Sequence, residues 1–274
     1  TAVLHHCLWL DLQLSGSTRD AILLTSVSQR GAHDFHNAPL ADPRSRVPSP
    51  DFRLALLYHL GLPLPGLDPP DALGDRAIST SHHSPRHTDV LIAWYHAALA
   101  AHTLAGAIRE PTDHSAYSPG NKRPDLYLPA LNVALDVKTG SLFTSKTPAH
   151  VASHTPVAAT AEVFLLRAFG DPRRGSSGEY TEALRQGTTV TLLISEVTGA
   201  RHSLGERFLR SCAAAYAERH PTAAGPSADR SFYSLHSSFL STASLRGLGR
   251  QLRTKVLSSV SVSSLRRRAP TCSS

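Results

Sequence analysis

Hydrophobic and polar positions change their rhythm several times along this chain. Across residues 88–105, "TDVLIAWYHAALAAHTLA" sets Leu91, Trp94, Tyr95, Ala98, Leu99 and Ala101 at helical spacing, with Gly106 as the stop. "AIRE" then reads as a short strand closed by Pro111, and "DLYLP" and "VALDVK" as two strands meeting at residues 129–132. A second helix is predicted across "PVAATAEVFLLRAF", beginning at Pro156. "GTTVTLLISEV" is a strongly apolar strand. A third helix, "SLGERFLRSCAAAYAERH", carries Ser203 as N-cap and Glu206 at the capping-box position. The order is helix, three strands, helix, strand, helix. It predicts an α/β domain with a central mixed sheet flanked by helices, at residues 87–221.

The flanks have a different texture. Residues 1–86 form a loop-rich N-terminal module in which Pro, His, Asp and Ser crowd residues 37–87, with one helical island at "PDFRLALLYHLG" and little core of its own. Beyond Pro221, residues 222–274 are Ser-rich and basic, "SLRGLGRQLRTKVLSSVSVSSLRRRAP". This tail is expected to be a loosely attached helix or partly disordered. No repeat of solenoid period is present.

Composition narrows the setting. The 274 residues, 41% of them hydrophobic, are enough to bury a sizeable core. A formal charge of +7, from 28 Lys and Arg against 21 Asp and Glu, favours a polyanionic partner such as nucleic acid. Cys7, Cys212 and Cys272 are far apart and in no paired motif, so neither a disulfide framework nor a thiolate metal site is supported. An intracellular setting, nucleus or cytoplasm, fits this usage. The apolar run around "VFLLRAF" is too short to span a bilayer, and "TAVLHHCLWLDLQL" lacks the charged start and cleavage site of a targeting signal. No membrane partner is expected. A chain that starts at Thr1 and contains no Met reads as a piece of a longer product or as one whose initiator has been removed.

The chemistry concentrates in "NKRPDLYLPALNVALDVKTG", residues 121–140. In "VALDVK", alternation puts Val133, Leu135 and Val137 on one face and Ala134, Asp136 and Lys138 on the other, so one face packs while the other presents a carboxylate beside an amine. A turn centred between Ala130 and Leu131 sets Asp125 directly across from Asp136. Ala130-Leu131 is a weak two-residue turn, however, and a longer loop would shift that register. Opposed carboxylates repel unless neutralised, and a hard divalent cation, Mg²⁺ or Mn²⁺, takes one or two carboxylates while keeping sites for water and phosphate oxygens. Such a metal activates water against a phosphodiester, and Lys138 can orient that water or stabilise the developing charge. The alternative is a solvated hairpin face in which Asp136 and Lys138 form a surface ion pair of little consequence.

In its order of elements, "RPDLYLPALNVALDVK" resembles the PD-(D/E)XK, or restriction-endonuclease-like, nuclease superfamily. A narrower resemblance covers roughly residues 28–220. "GAHDFHNAPL", "FRLALLYHLGLPLP", "GDRAISTSHHSPRHTDVLIAWYHAALAAHTLAGAIREP", the hairpin and "ISEVTGARHSLGERFLRSCA" look like, in that order, the region that follows the polymerase in non-LTR retroelement reverse-transcriptase proteins. The resemblance implies a restriction-endonuclease-like core and a Mg²⁺-dependent endonuclease cleaving DNA, with Asp125, Asp136 and Lys138 catalytic and Asp125 and Asp136 holding the metal. It also implies RNA or a separate polymerase region as further partners. Relatives often carry a zinc knuckle near "GDRAIST", where this chain has Arg76 and Thr80, so no zinc is expected. No paired-Asp polymerase motif is present. The competing expectation is a catalytically inactive nucleic-acid-binding remnant.

Other residues extend the picture. Glu110, at the end of the strand before the hairpin, is a candidate third metal-facing carboxylate, against the plainer reading of a surface Glu at a strand end. Glu196, in "ISEVTG", reads as structural. Lys122, Arg123, Lys255, Arg266, Arg267 and Arg268 are candidate phosphate contacts. His33 and His36 in "HDFH", and His82, His83 and His87 in "HHSPRH", have spacings a metal could use but sit in no recognised pattern, and loop composition accounts for them. No phosphate-binding P-loop, GxSxG, HExxH or dinucleotide fingerprint is present.

Overall fold

The structure is a computed structural model. It describes residues 18–67, 69–80, 84–102, 106–111, 123–140, 156–221 and 228–268. In chain order the elements are α1 (Thr18–Val27), α2 (Ser49–His59), α3 (Asp75–Thr80), α4 (Ser84–Ala101), β1 (Ile108–Arg109), β2 (Leu126–Leu128), β3 (Val133–Gly140), α5 (Pro156–Phe169), α6 (Thr181–Arg185), β4 (Thr189–Glu196), α7 (Ser203–Arg219) and α8 (Ala228–Arg268). The architecture is mixed α/β. A four-stranded sheet in the order β1-β2-β3-β4 is antiparallel across its first two pairings and parallel at β3–β4. A parallel pair needs a crossover, and α5 and α6 lie in the segment joining β3 to β4.

Both faces of the sheet are covered. Leu126, Leu128, Leu135, Val137 and Leu193 pack in one cluster with Trp94 and Ala97 of α4, Leu209 of α7 and Leu240 of α8. On the opposite face, Leu192 and Ile194 meet Ala161 and Ala168 of α5 and Tyr180, while Tyr127 and Ala134 meet Ala183 of α6. The expectation that one face of "VALDVK" stands open is therefore corrected: Ala134 is fully buried and Asp136 is 2% exposed. The crossover helices α5 and α6 cover one face of the parallel pair, and α4, α7 and α8 cover the other.

Several boundaries move. α4 begins at Ser84, four residues before the expected start, which brings Arg86 and His87 into its first turn. The N-cap of α7 is His202, whose Nδ1 accepts from the Leu204 N–H, so the cap lies one residue before Ser203. Glu206 consequently leaves the capping box. It receives Nε of Arg201 at 2.7 Å and the Tyr233 hydroxyl.

The C-terminal segment is helical, one of the two expected forms, but it is not loosely attached. α8 is a 41-residue helix, and each residue from His236 to Leu245 is buried. It packs against α4, α2 and α7 and runs from the sheet-side cluster into a second one, where Leu245, Leu248 and Leu252 meet Leu23, Leu54, Tyr58 and Ile78. The loop-rich front module thus takes its core from the far end of the chain. Gly247 and Gly249 allow the close approach. A Cβ at Gly247 would stand 2.7 Å from Arg86 Cα, and one at Gly249 would stand 2.1 Å from the Asp51 carbonyl oxygen. Serines on this helix return hydroxyls to its own backbone, as from Ser238 to Leu235 O and from Ser244 to Leu240 O, so a Ser-rich helix can be buried.

Three remote segments are tied together at Arg201. Its guanidinium pairs with Asp34 at 3.0 Å and Glu206 at 2.7 Å, and donates to the Ser237 hydroxyl of α8. Burial alone would lower its pKa, but the two carboxylates outweigh that and raise it. Among the described residues, no helix is long and apolar enough to cross a membrane.

Candidate functional site: paired carboxylates at the end of the hairpin

The hairpin register is the one that symmetry about residues 130–131 predicts. Leu126 pairs with Leu135, Tyr127 with Ala134 and Leu128 with Val133, and the next step of that register sets Asp125 opposite Asp136. The loop is longer than two residues: a 3₁₀ turn at Pro129–Leu131 leads into Asn132 at φ 49°. Asn132 tolerates this left-handed conformation because its short amide bonds locally. It accepts from the Tyr127 and Thr188 hydroxyls and donates to Gly187 O. These bonds preserve the register despite the weak turn sequence.

Beyond Leu126 the ladder changes hands from backbone to side chain. Pro124, which would face Val137 if the register continued, has no N–H to donate. The Val137 N–H instead reaches Asp125 Oδ2 at 2.6 Å, and the Val137 carbonyl accepts from His87 Nε2 at 3.1 Å. His87 Nε2 also lies 3.2 Å from Asp125 Oδ2. With two acceptors in front of it, Nε2 carries the proton. The hydrogen bond that His87 donates to Asp125 raises the His87 pKa, against an opposing effect of burial.

Asp136 is the most enclosed member of the cluster. Lys138 Nζ sits 2.5 Å from its Oδ1, while Oδ2 is buried without a hydrogen-bond partner. Burial raises the Asp136 pKa and the Asp125 charge adds to the effect, with Lys138 opposing both. Asp125 moves the other way: burial would raise its pKa, but His87, Asp136 and the Val137 N–H together hold it below the usual value. One carboxylate is thus held ionised and its neighbour leans toward the protonated form. The buried Tyr180 hydroxyl lies on the Asp136 side of the sheet and also lacks a hydrogen-bond partner. Its pKa is raised, first by burial and then by Asp136.

The structure therefore gathers Asp125, Asp136 and Lys138, and adds His87 and Tyr180. Among the described residues no group of three or more His, Cys, Asp or Glu side chains is arranged to hold a metal ion. A hard divalent cation needs only one or two carboxylates, and the unpartnered Oδ2 of Asp136 beside Asp125 fits that smaller demand. Glu110 is an exposed residue at φ 47°, and its N–H donates to the Asp125 carbonyl at 2.8 Å. Its backbone is at the site, whereas no bond from its carboxylate to Asp125 or Asp136 occurs among the described residues. Glu196, level with Gly140 on β4, is 1% exposed and accepts from the Ser26 hydroxyl, consistent with a structural part.

The candidate phosphate contacts are dispersed. Arg123 is exposed just before the cluster, and Lys255 is half-buried on α8. Arg266, Arg267 and Arg268 belong to the last turn of α8, and Lys122 lies outside the described residues, as do His82, His83, Cys7 and Cys272. Cys212 is buried, and burial pushes its thiol up to about 12, which suits packing rather than reactivity. His33 and His36 stack on one another at 6.1 Å in the 3₁₀ region of the front module.

His87 and Tyr180 are the site residues that sequence reasoning missed, and only His87 had a usable signal. Its position within "HHSPRH" suggested loop composition, but Ser84-Pro85 is also a helix-opening pair, and reading it so would have put His87 on the helix that approaches the hairpin. No protein-family model, curated protein or solved structure matches this chain.

Proposed function

We propose that this chain is a metal-dependent endonuclease that hydrolyses DNA phosphodiesters, a restriction-endonuclease-like domain of retroelement type. The observation that carries this reading is the buried, unpartnered Oδ2 of Asp136 beside a second carboxylate and an amine. A carboxylate oxygen withdrawn from water is costly unless a proton, the neighbouring Tyr180 hydroxyl or a cation completes it. Asp125 and Asp136 would hold Mg²⁺ or Mn²⁺, which supplies charge neutralisation at phosphate and an activated water. His87 fixes Asp125 by hydrogen bonding, leaving the second Asp125 oxygen available. Lys138 releases Asp136 Oδ1 and turns its ammonium toward the charge developing on the scissile phosphate. The order α4, three strands, α5, the short α6, strand, α7 supports the resemblance to restriction-endonuclease-like cores.

A second reading, an inactive nucleic-acid-binding remnant, is favoured by one specific observation. Asp136 is 2% exposed and already paired with Lys138, so the cluster can satisfy much of its charge internally.

The deciding experiment is nicking of supercoiled DNA by purified protein with Mg²⁺, Mn²⁺ or chelator, for wild type, Lys138→Ala and Asp125→Asn. On the nuclease reading, Lys138→Ala slows cleavage by about a hundredfold or more while metal-induced thermal stabilisation persists. Asp125→Asn loses both. Metal that neither raises the melting temperature nor supports nicking turns the assignment to the remnant, and nicking that survives in both variants marks a contaminant.

A further inference from the structure

Two buried polar groups at the carboxylate cluster face a common gap, and among the described residues each lacks a hydrogen-bond partner. Asp136 Oδ2 has none because Lys138 takes Oδ1, and the Tyr180 hydroxyl has none either. One is an acceptor and the other a donor. Burial raises the Tyr180 pKa first; the charge of Asp136 and hydrogen bonding with it come next, ahead of Asp125 and Glu179. Among the carboxylates, Asp136 therefore acts on the phenol most strongly, although the two atoms stop short of a hydrogen bond.

Tyr180 is placed from outside the hairpin. Asp136 stands level with Leu192 of β4, and the Tyr180 ring packs with Leu192, Ile194 and Ala168. The chain after α5 folds back on the end of that helix, so that the Tyr180 N–H donates to Ala168 O at 3.0 Å and the Glu179 N–H to Arg167 O at 3.1 Å. Two glycines permit this return. A Cβ at Gly170 would stand 2.0 Å from Ser176 O, and one at Gly178 would stand 2.3 Å from Ala168 O. The Arg167–Glu179 ion pair, at 2.6 Å, closes the same turn. With the backbone held in this way, side-chain torsions are what remain to bring hydroxyl and carboxylate together.

Leaving a buried donor and a buried acceptor both unpaired is costly, and neither atom is in contact with solvent. We infer that Tyr180 is a positioning residue for Asp136: in the metal-free protein its hydroxyl turns onto Oδ2, and Oδ2 opens to a divalent cation only when that hydroxyl turns away. The pairing stands on burial and on the match of donor to acceptor, whereas the opening to a cation rests on the nuclease reading.

The test combines thermal melting of the whole chain in chelator with Mn²⁺ binding followed by electron paramagnetic resonance, which reads the free ion and needs no turnover. Tyr180→Phe keeps the ring and removes the hydroxyl. In chelator it is expected to lower the melting temperature by about 4 °C. In an Asp136→Ala background the same change should lower it by no more than about 1 °C, because the acceptor is already gone. If Asp136→Ala does not fold, Asp136→Asn takes its place, and its neutral acceptor should about halve the cost of losing the hydroxyl. Mn²⁺ should bind Tyr180→Phe about tenfold more tightly than wild type, since no donor has to leave Oδ2. An equal loss of melting temperature in both backgrounds would overturn the inference, because the hydroxyl would then act elsewhere. Mn²⁺ binding that Tyr180→Phe weakens or leaves unchanged would overturn the opening of Oδ2. A wild type that binds no Mn²⁺ while the melting temperatures remain coupled would retire the nuclease reading and support the Tyr180–Asp136 pair.

Discussion

The β2–β3 hairpin and helix α8 are built on opposite principles. In the hairpin, alternating side chains set which residues share a face, and Asn132, bonded to Thr188 and Gly187, holds the pairing in which Asp125 faces Asp136. In α8, no face of the helix between His236 and Leu245 is left for water, and half of those residues are Ser or Thr. Such a helix has no apolar stripe, because it has no outside. The serines, glycines and alanine act through smallness: they let α4, α2 and α7 come close on different sides. A polar-looking segment can therefore be the central beam of a domain, while an apolar strand can carry its candidate chemistry.

The sharpest way to break that comparison is one alanine in each region. Gly249→Ala places a methyl 2.1 Å from a backbone oxygen of α2, which the packed helices cannot relieve by a side-chain shift alone. A loss of about 3 kcal/mol or more is expected in urea unfolding. Asn132→Ala in the hairpin turn should cost less, about 1–2 kcal/mol, from left-handed strain and broken hydrogen bonds. If the two losses were equal, or reversed, α8 would not be the more constrained region.

Acid offers a second probe of burial along α8. His236 is 4% exposed, packs against the Phe232 ring at 4.2 Å, and has its pKa lowered to about 4 by burial, with Arg44 and His96 adding to the effect. Because the folded value lies below the unfolded one, the unfolded chain takes up the proton first. Stability is then full above the ordinary histidine range and is lost as pH falls toward about 4. Between pH 7 and pH 5 this group should account for a loss of about 2 kcal/mol. His236→Gln should remove that part of the pH dependence in paired urea titrations, and identical slopes for both proteins would place His236 in contact with water.

The smallest effect is expected at the end of the same helix. Arg253 pairs with buried Asp51, and Leu252 is fully buried, but Leu257 is 60% exposed, so the packed portion ends between them. Deleting residues 260–274 should change stability by no more than about 0.5 kcal/mol. If Arg266, Arg267 and Arg268 bind duplex DNA, the same deletion lowers the salt slope by about 0.9 for each phosphate these arginines neutralise. An unchanged slope would assign them to solvent.

Much of the sheet was legible because its signals are local. The alternation in "VALDVK", the apolar run of β4 and the symmetry about residues 130–131 rest on neighbours in sequence. Asn132 then secured the register through bonds to Tyr127, Thr188 and Gly187, of which only Tyr127 is nearby in the chain. The exposure of the Asp136 face was not legible. Whether a strand has one buried face or two depends on where α5 and α6 return, and that is set by a crossover rather than by the strand.

Sequence by itself determined the mixed α/β order and the placement of Lys138 beside Asp136, and it offered the pairing that opposes Asp125 and Asp136 as one of the registers open to the hairpin. These follow from a side-chain period of two and from turn chemistry, both short-ranged. Tertiary structure alone decided that His87 completes Asp125, that Asp136 is buried with an oxygen left unpartnered, that Arg201 joins Asp34, Glu206 and Ser237, and that a Ser-rich tail forms the middle of the protein. The physical reason is common to all four. Burial, ion pairing and close approach at Gly247 and Gly249 are properties of surfaces meeting from distant parts of the chain, and no local pattern encodes which surfaces will meet.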